Sequence, residues 1–441
     1  MASYKEYLKH RIPEPILSKI RFVRSLIKEI YFFVEIRLTQ FYQKRALKKI
    51  KIKSKIRVAF FLIHEAVWKY ELIYRLFEKD DRFEPIVVVC PVVNYGDENM
   101  RKEMNRAYSC FKKKKYNVVK SLDEDTGQWL NVKKTIRPDI VFFTNPWRLT
   151  KDIYYIDNFT DILTCYVPYF FHVTKHLKEN YAGRLQNLSW KVFYETEIHL
   201  KYAKKYSHNK ASNVSVTGYP GLDHFFKGVA VNDPWKIQDH KIKRIIWAPH
   251  HTIPGQDAGL KFSNFEKYAY FFLELAEIYF SKIQIAFKPH PLLKPKLFRD
   301  PNWGEKKTNM YYDMWDTLEN GLLVEGEYKD LFLTSDAIIH DSGSFTVEYL
   351  TTLKPAMYVL SDINQTKNLN DFGKKAVNLH YKAFNKNDIE KFIVKTVIQG
   401  NDPMAIERIH FVNKYLVPPN HKTASENVFD NILKLLQLEK G

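Results

Sequence analysis

The residues best suited to chemistry fall in a few short clusters, most of which place histidine beside proline, lysine or small polar residues. In Lys288-Pro289-His290-Pro291 two prolines bracket one histidine and stiffen its backbone, with a lysine adjacent. A histidine held this way can donate to a phosphate oxygen or protonate a leaving group. In His340-Asp341-Ser342-Gly343-Ser344-Phe345-Thr346-Val347-Glu348 a run of small residues stands where a helix is expected to open. Unpaired backbone N–H groups at a helix start bind anions. Gly343 would let the backbone approach a phosphate, and Ser342 and Ser344 would add hydroxyl donors. The same segment also reads as an ordinary N-cap, because Ser or Asp before a helix is common. Trp247-Ala248-Pro249-His250-His251-Thr252 supplies two further histidines for phosphate contact. Adjacent side chains rarely converge on one ion and no third ligand has suitable spacing, so no metal is expected.

Two histidines are candidates for a base on the other side of a reaction. One is His64, next to Glu65; the other is His172, which closes Tyr166-Val167-Pro168-Tyr169-Phe170-Phe171-His172. Gly218-Tyr219-Pro220-Gly221-Leu222-Asp223 reads as a turn. Lys112–Lys115 reads as a solvated surface. The chain has no GxxxxGK[ST], which excludes a P-loop, and no GxGxxG after its first strand, which counts against a dinucleotide-dependent oxidoreductase.

These clusters follow short apolar, β-rich runs of the kind that become buried parallel strands. Strands are expected at 56–62, 85–89, 117–119, 139–143, 162–167 and 191–195, with helices near 66–79, 100–115 and 129–136. A polar bridge at 229–241, carrying Pro234, follows. The alternation then restarts, with strands at 244–248, 284–287, 321–324, 337–339 and 356–360 and a helix at 265–280. The stretch 388–438 reads as helical. Strand alternating with helix implies an α/β fold with doubly wound parallel sheets. Two Rossmann-like sheets in tandem leave a crevice at their strand C-termini, where ligands bind. The expected units are a basic helix over 1–54, an acceptor domain over 55–230, a nucleotide-donor domain over 231–387 and terminal helices over 388–441.

Read in order, the motifs resemble the CDP-glycerol glycerophosphotransferase family, the teichoic-acid and capsule polymerases of bacteria. That family carries a G-Y-P-x-x-D turn, an A-P loop, an H-P loop and a D-x-S-S-like helix start. Here these are Gly218–Asp223, Ala248-Pro249, His290-Pro291 and Asp341-Ser342-Gly343-Ser344. The resemblance implies a glycosyltransferase-B fold. It also implies transfer of a polyol phosphate from a CDP-linked donor, CDP-glycerol or a related CDP-polyol, to an acceptor hydroxyl with release of CMP. It assigns His290 and the 342–344 turn to the donor pyrophosphate, and leaves His250, His251, Lys288, His340, Asp341 and Glu348 as further donor-side candidates. The nucleotide-linked donor is a substrate, so no cofactor is expected. The sequence departs from the family where a W-H-G motif is usual: Tyr166-Val167-Pro168-Tyr169 stands there, with His172 a few residues on as the expected base, preferred over His64. Gly221 replaces a usual Arg, and Gly343 a usual Ser. A sugar transferase of the same fold, using a UDP- or CMP-sugar with Glu348 or Glu325 on its ribose, is the alternative.

The net charge of +19 is concentrated near the N-terminus, where residues 1–56 hold 15 Lys/Arg against 4 Asp/Glu. Ile16, Ile20, Val23, Ile27, Ile30, Val34, Leu38 and Phe41 recur in steps of three and four, so a basic amphipathic helix is expected there, lying on an anionic membrane surface. Charge gathered on one helix, rather than interleaved with aromatics across the fold, counts against nucleic acid. Cys90, Cys110 and Cys165 are scattered without CxxC spacing, as in a reducing compartment. With no signal peptide and no apolar run long enough to span a bilayer, the chain is expected in the cytoplasm, peripheral on the inner face of the cell membrane. Its acceptor is expected to be a polymer or lipid-linked hydroxyl.

Overall fold

Apolar runs bounded by polar turns become strands buried on both faces, and the chain builds two parallel sheets from them. The computed structural model describes residues 14–65, 68–94, 96–228, 230–253, 263–343 and 345–438. The chain opens with a long helix, α1 (Glu14–Ile50), followed by β1 (Ile56–Leu62), α2 (Glu71–Lys79), β2 (Phe83–Val89), α3 (Asp97–Lys113), β3 (Val118–Lys120), β4 (Ile140–Phe143), β5 (Leu163–Tyr166), β6 (Lys191–Tyr194), α4 (Glu197–Tyr206) and β7 (Val214–Val216). These seven strands form one sheet in the order β3-β2-β1-β4-β5-β6-β7.

The second half contains β8 (Lys243–Ala248), α5 (Phe265–Ile278), β9 (Ile283–Phe287), α6 (Leu293–Arg299), α7 (Gly304–Thr317), β10 (Gly321–Leu323), β11 (Ala337–His340), β12 (Ala356–Val359), α8 (Asp371–Val377) and β13 (Tyr381–Ala383), and the chain ends in α9 (Ala424–Leu436). The second sheet has six strands in the order β10-β9-β8-β11-β12-β13. Both sheets reverse strand order beside their first strand, between β1 and β4 and between β8 and β11. That reversal opens a crevice beyond the strand C-termini.

The segments that leave those C-termini touch across the halves. Lys69, beyond β1, donates to the Tyr328 hydroxyl beyond β10 at 3.1 Å. Asn370, beyond β12, donates to the His172 carbonyl beyond β5 at 2.5 Å, and Thr174 bridges Leu369 as in a strand pair. A buried cluster joins Phe171, Val173 and Tyr219 to Leu350, Leu369 and Phe372. Gly373 is required there, because a Cβ would sit 2.3 Å from the Val173 carbonyl oxygen.

Several expectations change in detail. The helix expected at 129–136 shrinks to Val132–Thr135, because Trp129 pairs with Leu122 as an extended bridge. The stretch 388–438 is not continuous: it breaks near Pro403 and at Pro418-Pro419, where proline removes a donor and clashes with the preceding turn. Its last piece, α9, returns to the first sheet and buries Val428, Phe429, Ile432 and Leu433 in that sheet's core. Strands β7 and β13 are three residues each and lie at sheet edges. They were not anticipated, since their half-polar composition carries no buried-strand signal.

Helix α1 covers 37 residues, about 55 Å at ~1.5 Å per residue. Ile36, Thr39, Gln43 and Ile50 pack on the first half, and Arg184 pairs with Glu35. The single apolar stripe expected of α1 is not what forms. Phe22, Leu26, Tyr31 and Phe33 are exposed as fully as Ile16 and Ile27, so apolar side chains ring the helix over its first two-thirds. Among the described residues no helix is long and apolar enough to cross a membrane.

Candidate active site

The switch point of the second sheet brings three sequence clusters together. β8 delivers His250 and His251, β9 delivers Lys288 and His290, and β11 delivers His340 and Asp341. The His290 amide donates to the Pro249 carbonyl at 3.2 Å and the Lys288 amide to Trp247 at 2.8 Å, so the two loops run side by side. The rings of His250 and His251 lie 4.2 Å apart, those of His251 and His290 4.4 Å, and those of His250 and His290 5.4 Å.

In each of these rings Nδ1 is occupied as an acceptor. The Leu292 amide donates to Nδ1 of His290 at 3.1 Å, the Thr252 amide to that of His250 at 3.3 Å, and the Lys296 ammonium to that of His251 at 2.9 Å. A neutral imidazole that accepts at Nδ1 carries its hydrogen on Nε2. All three rings are therefore set as Nε2–H donors. Burial drives the His290 imidazolium down to about 3, and the neighbouring basic groups His251, Lys288 and Lys296 push it the same way, so this ring is neutral at ordinary pH. Lys288 is buried, and burial draws its ammonium down to about 8 against the pull of Glu325 and Glu327.

Asp341 braces this arrangement. One carboxylate oxygen accepts the His250 amide at 2.6 Å and the other the Asn264 amide at 2.6 Å. Burial lifts its pKa to about 7 even against those hydrogen bonds. Its neighbours are more inward-facing than the sequence suggested. His340 is buried, and its Nδ1 accepts from the Ser342 amide at 3.2 Å, so that amide turns back into the fold. The helix behind the turn is only Phe345–Glu348 before it tightens, and one turn supplies little macrodipole. The donors that converge beside this turn are histidine and lysine side chains. Gly343 faces open space, for a Cβ there would meet nothing within 4 Å. Ser344 lies outside the described residues. Glu348 is buried and accepts from the Tyr328 hydroxyl, the same hydroxyl that Lys69 reaches.

On the first half, His172 is 1% exposed with Nδ1 3.1 Å from Glu195, which also lies 3.8 Å from His199. Burial pushes the Glu195 carboxyl up, but His199 and His172 pull harder and hold it below its usual value. His64 is separate: half-buried at the end of β1, beside the first sheet's switch point, with its pKa lowered by burial. Lys296, Asn264, Glu195 and Tyr328 are site residues that sequence reasoning did not single out. Only Glu195 left a trace, as a charge closing the apolar run 191–195. Among the described residues no group of three or more His, Cys, Asp or Glu is arranged to hold a metal.

Residues 177–434, more than half the chain, match the family model of CDP-glycerol:poly(glycerophosphate) glycerophosphotransferase. The chain belongs to that family. The glycerophosphotransferase also shares its fold with solved structures. The wall teichoic acid polymerase TagF superposes with a TM-score of 0.55 at 13% identity, covering 96% of this chain and 99% of that one. S. aureus MnaA, in a co-structure with UDP, gives 0.54 at 18%, covering 88% and 99%. The UDP-GlcNAc 2-epimerase from Neisseria meningitidis bound to UDP-GlcNAc gives 0.50 at 17%, covering 86% and 100%. No curated protein sequence gives a significant match. These likenesses establish the expected glycosyltransferase-B architecture of two facing Rossmann-like sheets. In the glycerophosphotransferase the Gly218–Asp223 motif proves to be a clasp: Gly218 has φ 86° against Pro418, and the Asp223 carboxylate accepts the Ala424 and Ser425 amides at 2.7 and 2.9 Å.

Proposed function

We propose that the enzyme moves glycerol phosphate from CDP-glycerol, or a related CDP-polyol, onto a hydroxyl of a polymer or lipid-linked acceptor, in building a teichoic acid or capsule polymer. The acceptor oxygen bonds to the phosphorus that carries the glycerol. The bond from that phosphorus to the bridging oxygen breaks, and CMP leaves with the electron pair. Charge grows on phosphate oxygens during this step, so fixed donors and cations do most of the catalysis. The observation that carries the reading is the group His250, His251 and His290, each set as an Nε2–H donor beside Lys288 and Lys296. Asp341 and Asn264 hold the loops that aim them; His340, Ser342 and Glu348 shape the wall behind, and Gly343 leaves room.

The acceptor proton needs a base from the first half. Accessibility favours His64, which is half-buried at the switch point and kept neutral by burial. His172 is sealed under the contact with Asn370 and is better suited to holding that contact between the halves. The acceptor half is 55–230 and the donor half 231–387. The exposed apolar ring of α1, with its lysines and arginines, suits the anionic inner surface of a cell membrane, which would hold the enzyme there as a peripheral protein. The test is nucleotide release: the full chain with a glycerol phosphate oligomer should liberate CMP from CDP-glycerol. UDP released from UDP-sugars, without CMP from CDP-glycerol or CDP-ribitol, would overturn the reading in favour of sugar transfer.

A further inference from the structure

A second polar cleft lies away from the histidine cluster, between the end of edge strand β7 and the flank of α9. It has a volume of about 250 Å³ and is lined by Val216 and Thr217 on the strand side and by Asn420, Lys422, Asn427, Asp430, Asn431 and Lys434 on the other. β7 stands three strands beyond β4, about 15 Å away at the usual ~4.8 Å spacing, so the cleft lies in the same half as His64 but well to one side of it. Its side chains include three carboxamides, one carboxylate and two lysines, set among apolar surface from Val216 and the aliphatic stems of the longer side chains.

The carboxamides are held in place. Asn427 donates to the Pro419 carbonyl at 2.8 Å and to the Thr217 carbonyl at 3.3 Å, and Asn420 donates to Asn427 at 3.0 Å. Asn420 and His421 both adopt left-handed backbone at φ 65° and 54°, a conformation that non-glycine residues adopt sparingly and that turns the Asn420 side chain onto the cleft wall. Asn431 Oδ1 is buried without a hydrogen-bond partner. At the rim, Lys422 pairs with Asp430 at 2.5 Å, whereas the exposed ammonium of Lys434 has no side-chain partner among the described residues.

We propose that this cleft is a holding subsite for the acceptor chain, taking one glycerol phosphate unit: Lys434 meets its phosphate and the row Asn420, Asn427 and Asn431 meets its hydroxyls. Lys422 is already paired with Asp430, so a phosphate alone would find only Lys434, and a neutral polyol alone would leave Lys434 unused; a unit carrying both groups matches both features. The inference rests on the proposed transfer reaction for the identity of the acceptor. Its consequence is that a growing chain is gripped to one side of the reacting hydroxyl, so that longer acceptors bind better than short ones.

The test uses the full chain and glycerophosphoglycerol dimers and hexamers, with binding measured by calorimetry in the absence of donor. The hexamer should bind at least tenfold tighter than the dimer, and Lys434→Ala with Asn431→Ala should remove that advantage while leaving the melting curve unchanged. In turnover, the pair of changes should raise the acceptor KM about tenfold and leave the CDP-glycerol KM and kcat unaltered. Equal hexamer affinity in the wild type and the variant, or no hexamer binding at all, overturns the proposal. Hexamer binding that depends on Lys434, in a protein that releases no CMP from CDP-glycerol, would instead overturn the transfer reaction and leave the cleft standing.

Discussion

His290 owes its role to two restraints that act on different bonds. The prolines at 289 and 291 fix its backbone, and the Leu292 amide fixes which ring nitrogen carries the hydrogen. Its replacement by Ala should therefore lower kcat for CMP release by about 10²–10³-fold, the usual loss when a preorganised donor to a developing oxyanion is removed. The melting temperature should stay within a degree or so, because the side chain lies in a loop; full activity in that variant would remove His290 from the reaction. Lys288 gives a pH signature. With its pKa drawn down to about 8, it is charged below that pH and loses its proton above it. The CDP-glycerol KM should rise as pH passes about 8, and Lys288→Arg, which stays charged, should flatten that rise. A wild-type KM that is flat across about pH 7–9 would take Lys288 out of donor binding. Both residues were legible in the sequence because they end an apolar run and proline marks them. Lys296 and Asn264 were not, since each acts through a contact with a residue that only folding brings near: His251 and Asp341.

At the scale of elements, the alternation of apolar runs and helical stretches was enough to foresee both sheets, but not where α9 would pack. Its apolar face fits any sheet, and the partner is chosen by Asp223, some two hundred residues earlier, whose carboxylate satisfies the first two amides of the helix. Asp223→Ala should leave those two buried amides unsatisfied and lower unfolding free energy by about 2–6 kcal/mol, at ~1–3 kcal/mol per buried unsatisfied group. A urea midpoint unchanged from wild type would show that α9 docks by its apolar face alone. Helix α1 poses the reverse case: its existence was legible and its distribution of apolar side chains was not, because Phe22, Leu26, Tyr31 and Phe33 lie off the periodic stripe. An apolar ring with basic residues among it should still float with anionic vesicles, less so as salt screens the charge. Deleting residues 1–34 should abolish flotation and spare CMP release with a soluble acceptor. Flotation by the truncated chain would move the membrane contact elsewhere.

For the molecule as a whole, catalysis requires the donor half and the acceptor half to meet, and a polar chain that crosses beside the donor site runs from Lys69 through the Tyr328 hydroxyl to Glu348. Lys69 also lies 5.5 Å from the centre of the Tyr328 ring. Glu348 is buried and would be left without its hydroxyl donor if Tyr328 lost its oxygen, so the chain ties the closed arrangement to the wall of the donor site. Sequence could not show this, because the three residues come from three separate segments, and neither Lys69 nor Tyr328 belongs to a family motif. Tyr328→Phe should loosen closure and raise the CDP-glycerol KM about tenfold, the ~1.4 kcal/mol expected of one hydrogen bond to a charged group. Lys69→Met should do the same from the other side. Because both changes cut one chain, the double variant should be no worse than the worse single, the non-additivity expected of residues in direct contact. Additive losses would mean that Lys69 and Tyr328 act on the donor independently, and an unchanged KM in Lys69→Met would mean that the halves close without this link.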